Sequence, residues 1–445
     1  MAEQFNIREY ESFVDSSVLE KRGIEPRRGM QPLPHDVFEA LEAFVLESRG
    51  EATEAIEFMS LGAKKGYGKV ITARNYVGTV VFKNGTTVQM LPKLIASQND
   101  DEEKRFAEEQ RIFLRMLQAV MDLPMKEFEL AQLSTVKMDV QEPFIRMFVR
   151  AVADLTKQGL RSAYTELESN ERFLKGKVHF AQDVKLNCFH RERFYVHYDE
   201  FVLDRPENRV IKSTLILLRG MTRSFTTKRD IDMVLRCFVD IAESANVDQD
   251  LAQCHLDRTM SAYVRILKLC QVFLRGESFT SFKGSEVASS LLFPMETLFE
   301  AYVAKLVKKQ AGMRGWKAVV QDKGFWLYDE PKRFRIRPDI VMYRDGHNPI
   351  VLDTKWKRIG GSANDGMSQA DMYQMYVYQH RYHAAKTILV YPRHEGIDGG
   401  HRSSYQSHHR GNSAEIAALN QVFVFDLANA DQSASDLIDL AVNTV

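Results

Sequence analysis

Several hydrophobic rhythms follow one another along the chain, and each predicts a different element. Val37, Leu41, Phe44 and Val45 recur at helical spacing within residues 36–48, which predicts a short amphipathic helix. From Ile56 to Leu94 the spacing changes to alternation, punctuated by Gly62, Gly66, Gly68, Gly78 and Gly85. Within it, residues 78–90 predict a hairpin, because Asn84-Gly85 suits a tight β turn. This β-rich segment ends near Pro92-Lys93-Leu94, and an acidic break over 97–103 follows, whose carboxylates suit a helix N-terminus. Helical spacing then dominates from about 102 to 285, as in Phe113, Met116, Leu117 and Val120, and again in Tyr263, Ile266, Leu267 and Cys270. Only 175–180 in that stretch is strand-like.

From about residue 286 the rhythm becomes mixed. Met295, Leu298, Phe299, Tyr302, Val303, Leu306 and Val307 form a nearly unbroken helical stripe. Strand-like runs follow at 318–321, 325–328, 334–343 and 350–356. After a loop at Gly360-Gly361-Ser362 come a Tyr-rich helix over 367–383 and strands at 387–391 and 421–425. Helix, strands, helix and strand predict an α/β domain with a mixed central sheet flanked by helices. The fold class is therefore α/β in a multidomain α+β chain, with segments 1–98, 99–285 and 286–445 and no internal repeat.

Composition adds bounds. The 445 residues suggest two or three domains, and 44% apolar with 27% charged residues excludes wholesale disorder. Sixty basic residues balance sixty acidic ones, which argues against a simple basic coat for nucleic acid. Cys188, Cys237, Cys254 and Cys270 form no CxxC pair and suit reduced residues rather than a disulfide frame. The polar N-terminus is unlike a signal peptide, and no run approaches the roughly 18 apolar residues of a membrane span. A soluble cytoplasmic protein is the expectation.

The chemistry is concentrated in Arg337-Pro338-Asp339-Ile340-Val341, a turn at Asp345-Gly346, and Val351-Leu352-Asp353-Thr354-Lys355-Trp356-Lys357. Alternation puts Asp353 and Lys355 on one face of their strand, and an antiparallel hairpin brings Asp339 beside them. Carboxylates and a lysine buried together need a partner, and a Mg²⁺ ion with hard oxygen ligands supplies one. Lys355 would then orient or help deprotonate a water and offset charge on a phosphate. The spacing matches the PD-(D/E)xK nuclease pattern. Glu296 and Glu300 lie one turn apart on the preceding helix, and Glu300, beside core residue Phe299, is the preferred third carboxylate. Gln374 and Tyr378 share one face of the later helix, where such nucleases often carry a supporting Gln-xxx-Tyr pair. Aromatic packing on the sheet accounts for the same residues equally well.

Charge is uneven here. Residues 331–358 hold eight basic residues against three acidic, while 411–445 hold five acids and no Lys or Arg. Arginines alternating on one predicted strand, Arg335 and Arg337 among them, are candidates for phosphate contact together with Lys357. The histidines from His380 to His409 carry no companion metal motif, and 399–409 reads as a polar exposed loop.

Beyond these residues, Phe299-Glu300-Ala301-Tyr302, the block Asp204-Arg205-Pro206-Glu207-Asn208-Arg209-Val210-Ile211-Lys212, Asn75-Tyr76-Val77-Gly78 and Leu91-Pro92-Lys93 complete a pattern. In this the chain resembles the McrC family, the nuclease subunits of McrBC modified-cytosine restriction systems. The resemblance implies a partner, a McrB-like hexameric AAA+ GTPase that recognises modified double-stranded DNA. It also implies that segment 1–98 docks in that ring and stimulates GTP hydrolysis, while 286–445 cuts. The chain has no GxxxxGK[ST] loop, and Gly66-Tyr67-Gly68-Lys69 reads as a β turn, so GTP is expected on the partner. Two other readings remain: a non-cutting adaptor that grips DNA and activates the GTPase, and a stand-alone nuclease of another system.

Overall fold

The computed structural model describes residues 3–51, 58–93, 102–120, 142–255, 257, 260–275, 287–360, 366–394, 396–408 and 417–443. The chain forms two compact units, Met1–Val140 with Phe282–Val445, and Gln141–Ser281. The expected acidic break lies largely outside the described residues. No helix among the described residues is long and apolar enough to cross a membrane.

The N-terminal part runs β1 (Gln4–Arg8), β2 (Ser12–Asp15), α1 (Ser16–Arg22), β3 (Met30–Leu33), α2 (His35–Glu51), β4 (Met59–Lys64), β5 (Gly68–Ala73), β6 (Tyr76–Phe82) and β7 (Thr87–Leu91). Asp15 starts α1 by accepting from Ser17 N, and Gly23 in the left-handed region ends it. Helix α2 buries Val37, Leu41, Phe44 and Val45, the stripe read from spacing. Strands β6 and β7 form the expected hairpin, with Gly78 opposite Met90. Gly85 takes φ +85° in its turn, and Asn84 Oδ1 accepts from Thr86 N at 2.8 Å. Gly66 and Gly68, both at positive φ, turn β4 into β5. Helix α3 (Glu102–Val120) then buries Phe113, Met116 and Leu117.

The second unit contains α4 (Glu142–Gln158), β8 (Ala163–Glu171), β9 (Lys177–Val178), α5 (Phe180–Asn187), β10 (Phe194–Val202), α6 (Pro206–Met221), α7 (Phe225–Leu235), α8 (Val247–Gln253) and α9 (Ser261–Arg275). Here the structure departs from the expectation of a mainly helical stretch with one strand-like run. The sheet order is β8-β10-β9, and its two nine-residue strands lie outside the one run read as strand-like. Residues 175–180 supply only two strand residues before α5 begins. Side chains such as Tyr164 and Phe201 remain exposed, so no clean apolar alternation marks these strands. The conspicuous central block is structural. Asn208 is fully buried, donates to the carbonyls of Leu203 and Arg161, and accepts from Tyr263 Oη at 2.9 Å. Arg209 forks onto both carboxylate oxygens of Asp204 at 2.7 Å.

The last third contains β11 (Val287–Pro294), α10 (Met295–Met313), β12 (Lys317–Val320), β13 (Trp326–Asp329), β14 (Lys332–Arg335), β15 (Ile340–Tyr343), β16 (Ile350–Thr354), α11 (Gln369–Tyr382), β17 (Lys386–Pro392), β18 (Gly400–His408), β19 (Ala417–Phe425) and α12 (Ala430–Val442). Strand β11 pairs antiparallel with β6, giving a sheet ordered β1-β7-β6-β11. Segments 1–98 and 286–445, separate in the sequence division, thus share one unit, which also takes in α3. A six-stranded mixed sheet, β12-β15-β16-β17-β19-β18, forms the second half of this unit. One face buries Val341, Val351 and Leu389 with Met375, Tyr378 and Tyr382 of α11. On the other, Phe425 meets Phe299 of α10 edge-on at 6.2 Å.

Two further expectations change. The run 334–343, expected as one strand, divides between β14, in a two-stranded ribbon with β13, and β15 in the main sheet. Pro338 between them has no N–H to continue a ladder. The polar stretch 400–408, expected as an exposed loop, is edge strand β18, antiparallel to β19. Edge strands pair on one side only and carry polar residues readily.

Candidate active site

Strands β15 and β16 pair with Ile340 opposite Leu352, so the next positions outward are Asp339 and Asp353. Register alone therefore sets two carboxylates side by side at the end of the hairpin. Asp339 is held from both directions. Its Oδ2 accepts from Thr354 N and Thr354 Oγ1, each at 2.7 Å, and its carbonyl accepts from Gln321 N at 2.7 Å. Asp353 is 1% exposed. Burial, and next the Asp339 charge, push its carboxyl well above the ordinary carboxylate range, despite the adjacent lysine.

Lys355 lies just past β16, where its N–H donates to Val390 O at 2.9 Å. Its Nζ stands 2.6 Å from Asp353 Oδ2, an ion pair in which that oxygen has no aligned hydrogen bond among the described residues. Burial favours a neutral amine, but Asp353, with Asp339 and Asp371 behind it, outweighs it and holds the ammonium above its ordinary pKa. Lys355 is thus a cation at neutral pH.

Of the two glutamates on α10, Glu300 turns towards this cluster. It is half-buried, accepts from Gln321 Nε2 at 2.5 Å, and is raised by burial and then by the Asp339 charge. Glu296 is exposed and accepts from Asn75 Nδ2 at 3.0 Å. On α11, Gln374 Nε2 donates to Tyr378 Oη at 2.6 Å, and Tyr378 Oη donates to Arg337 O at 3.2 Å. The pair therefore braces the segment leading into Asp339 by way of Arg337.

The candidate phosphate-binding cations part company. Arg337 is exposed. Arg335 sits on β14, not on a strand shared with Arg337, and donates to Lys323 O while its guanidinium lies 5.2 Å from the Trp326 ring centre. Lys357 is paired with buried Asp371 at 2.9 Å. Two of the histidines have structural roles: His383 caps α11, and His394 Nε2 accepts from Ile359 N at 3.1 Å.

The donors suit a hard divalent cation, because a buried carboxylate with an unaligned oxygen faces a second carboxylate. Among the described residues no three acidic, imidazole or thiol groups gather into a ligand cage. Mg²⁺ ordinarily takes one or two carboxylates and completes its shell with water and phosphate oxygens.

The family model described as McrBC 5-methylcytosine restriction system component matches residues 71–392. The chain belongs to this McrBC family. Among solved structures, it resembles a chain of the refined half-complex from a tetradecameric assembly of Thermococcus gammatolerans McrB AAA+ hexamers with bound McrC. That likeness has a TM-score of 0.66 at 17% identity and covers 98% of this chain and 100% of the other. A second likeness, to the T. gammatolerans McrBC complex, has a TM-score of 0.47 at 18% identity and covers 69% and 88%. The first is a likeness of fold. No curated protein matches the chain.

Two features of this McrBC-family chain escaped the sequence reading. Thr354 clamps Asp339 with both its N–H and its hydroxyl, and its place between Asp353 and Lys355 is the only sequence signal for that role. The other is Glu9, 1% exposed and pushed up to about 8, chiefly by burial. Its Oε1 accepts from Trp356 Nε1 at 2.9 Å, and the Trp356 ring packs tilted against Phe299 with centroids 5.3 Å apart. An N-terminal residue thus anchors the segment that follows Lys355, a contact across the chain that spacing cannot reveal.

Proposed function

We propose that this chain is the Mg²⁺-dependent DNA endonuclease subunit of a McrBC-like, modification-dependent restriction system. The observation that carries the reading is the meeting of Asp339 and Asp353 across β15 and β16, with the Lys355 ammonium 2.6 Å from Asp353. Asp339 and Asp353 would hold the ion, and Glu300, which does not gather with them into a three-ligand cage, would serve as a third carboxylate through a coordinated water. When bound, Mg²⁺ supplies Lewis-acid polarisation of a phosphoryl oxygen and lowers the pKa of a coordinated water. Lys355, kept charged by Asp353, orients the attacking water and offsets negative charge developing on the phosphate. Gln374 and Tyr378 are positioning residues, acting through the Arg337 carbonyl. Arg335 and Arg337 meet backbone phosphates, and Lys357 would do so only by leaving Asp371.

The partner follows from the family. In the T. gammatolerans assembly McrC is bound to McrB AAA+ hexamers. We extend that arrangement to this chain: a McrB-like AAA+ GTPase hexamer holds the GTP and delivers double-stranded DNA containing modified cytosine. Segment 1–98 is the docking part and stimulates the GTPase.

The test is a cleavage assay on modified duplex with Mg²⁺, with and without the GTPase and GTP. Asp353→Ala and Lys355→Ala should abolish cutting while still co-purifying with the GTPase. Full cleavage by both variants refutes the site. Cutting by the unsubstituted chain without any partner would instead favour a stand-alone nuclease. Failure to cut under every condition would favour the adaptor.

A further inference from the structure

Close to the end of the proposed catalytic segment lies an open-sided cavity of about 590 Å³, lined largely by segment 1–98 and by no residue given a role in cutting above. Its walls come from β1, the loop before β3, Lys93, the start of α3 and Arg358. Six cations, Arg8, Arg27, Arg28, Lys93, Arg105 and Arg358, face two acids, Glu11 and Glu109, a balance of plus four. Arg105 Nε is buried with no hydrogen-bond partner among the described residues. Arg27, Arg28 and Arg358 are exposed. Glu109 pairs with Arg8 at 2.8 Å, yet burial still pushes it up to about 7, so its negative charge is only weakly held at neutral pH.

Five guanidinium groups around one open cavity are chemistry for phosphate, which their planar forks bind in a bidentate fashion. The volume equals roughly twenty waters at about 30 Å³ each, more room than a single inorganic phosphate needs. The cavity is also close to the candidate metal site. Arg358 is three residues past Lys355, so their Cα atoms are at most about 11 Å apart.

We propose that this cavity binds consecutive backbone phosphates of the duplex, so that DNA is gripped beside the scissile bond as well as at it. This rests on the endonuclease reading above. The grip is sequence-independent, because phosphate contacts position a duplex without reading its bases.

The test measures equilibrium binding of the full chain to a short duplex across a salt series, in Ca²⁺ to prevent turnover. The double variant Arg27→Glu/Arg28→Glu should weaken binding at least about tenfold and reduce the slope of log K against log salt by about two. Arg358→Ala alone should reduce the slope by about one. The charge-conserving Arg27→Lys/Arg28→Lys should keep most of the slope, which separates lost charge from lost folding. Unchanged affinity and slope in both Arg27→Glu/Arg28→Glu and Arg358→Ala would overturn the proposal. So would displacement of the duplex by inorganic phosphate at equal concentration, since the cavity would then be a free-anion site. Hydrolysis of bis(p-nitrophenyl) phosphate by the unsubstituted chain with Mg²⁺ reports separately on the endonuclease reading. A chain that hydrolyses this diester but binds duplex identically in all variants keeps the nuclease and loses the cavity.

Discussion

Strands β15, β16 and β17 of the large mixed sheet and strands β8 and β10 of the second unit are built for opposite surroundings. The former are covered on both faces, so Ile340, Val341, Met342, Ile350, Val351 and Leu352 have almost no exposure. The latter leave Tyr164 at 75% and Phe201 at 62% exposure and hold their register chiefly through main-chain pairing. The difference teaches where a chain keeps expensive groups. Asp339, Asp353 and Lys355 stand at the end of the covered strands, where rigid packing fixes their geometry and low solvation amplifies their charges. The open sheet can carry no such cluster, because water would screen it.

The contrast is broken or sharpened by four substitutions, given from the largest expected effect to the smallest. Asp353→Asn should lower metal-dependent cleavage by at least about a hundredfold, with circular dichroism unchanged; normal cleavage would mean that the covered strands serve no catalytic charge. Leu352→Ala, in the same strand, should cost about 2–5 kcal/mol in denaturant unfolding. A cost below about 1 kcal/mol would show that this core is less tightly packed than its burial indicates.

Glu9→Gln probes a buried titratable group away from the sheet. Its folded pKa of about 8 lies above the ordinary value of 4.5. Ionisation of the unfolded chain therefore removes stability as pH rises from about 4.5 through about 8, worth at most a few kcal/mol at about 1.4 kcal/mol per pH unit. The variant, whose amide oxygen still accepts from Trp356, should lose less stability than the parent between pH 5 and 8. Parallel pH profiles for the two proteins would count against a neutral, buried Glu9. Last, Phe201→Ala on the open sheet should change stability by no more than about 1 kcal/mol; a loss as large as that of Leu352→Ala would erase the distinction drawn between the sheets.

The same contrast explains what could be read in advance. Helix α10 announces itself because one stripe is buried while Lys305, Lys308 and Lys309 face water. The β15–β16 hairpin was legible because its apolar runs flank Asp345-Gly346, and Gly346 takes the positive φ the turn requires. Strands β8, β10 and β18 were missed for the complementary reason: a strand stabilised by main-chain pairing with solvated side chains leaves little period-two signal. Within the site, the pairing of Asp339 with Asp353 followed from alternation and register. The Gln321 contacts to Asp339 and Glu300 did not, since they depend on how the residues after β12 lie against α10. The separation of Arg335 from Arg337 was hidden too, because a run of suitable strand residues does not show where the chain leaves one sheet for another.

The hydrogen bond between Glu9 and Trp356 also has a temporal side. The two residues are 347 positions apart. At roughly 5–20 residues per second, a ribosome needs about 20–70 s to make the intervening chain. For that interval the nascent N-terminal strands carry a carboxylate whose partner has not yet been synthesised, and β6 lacks its neighbour β11. The residues of the proposed cutting site reach their anchored geometry only after the earliest part of the polypeptide has waited for them, so the proposed activity cannot precede synthesis of Trp356.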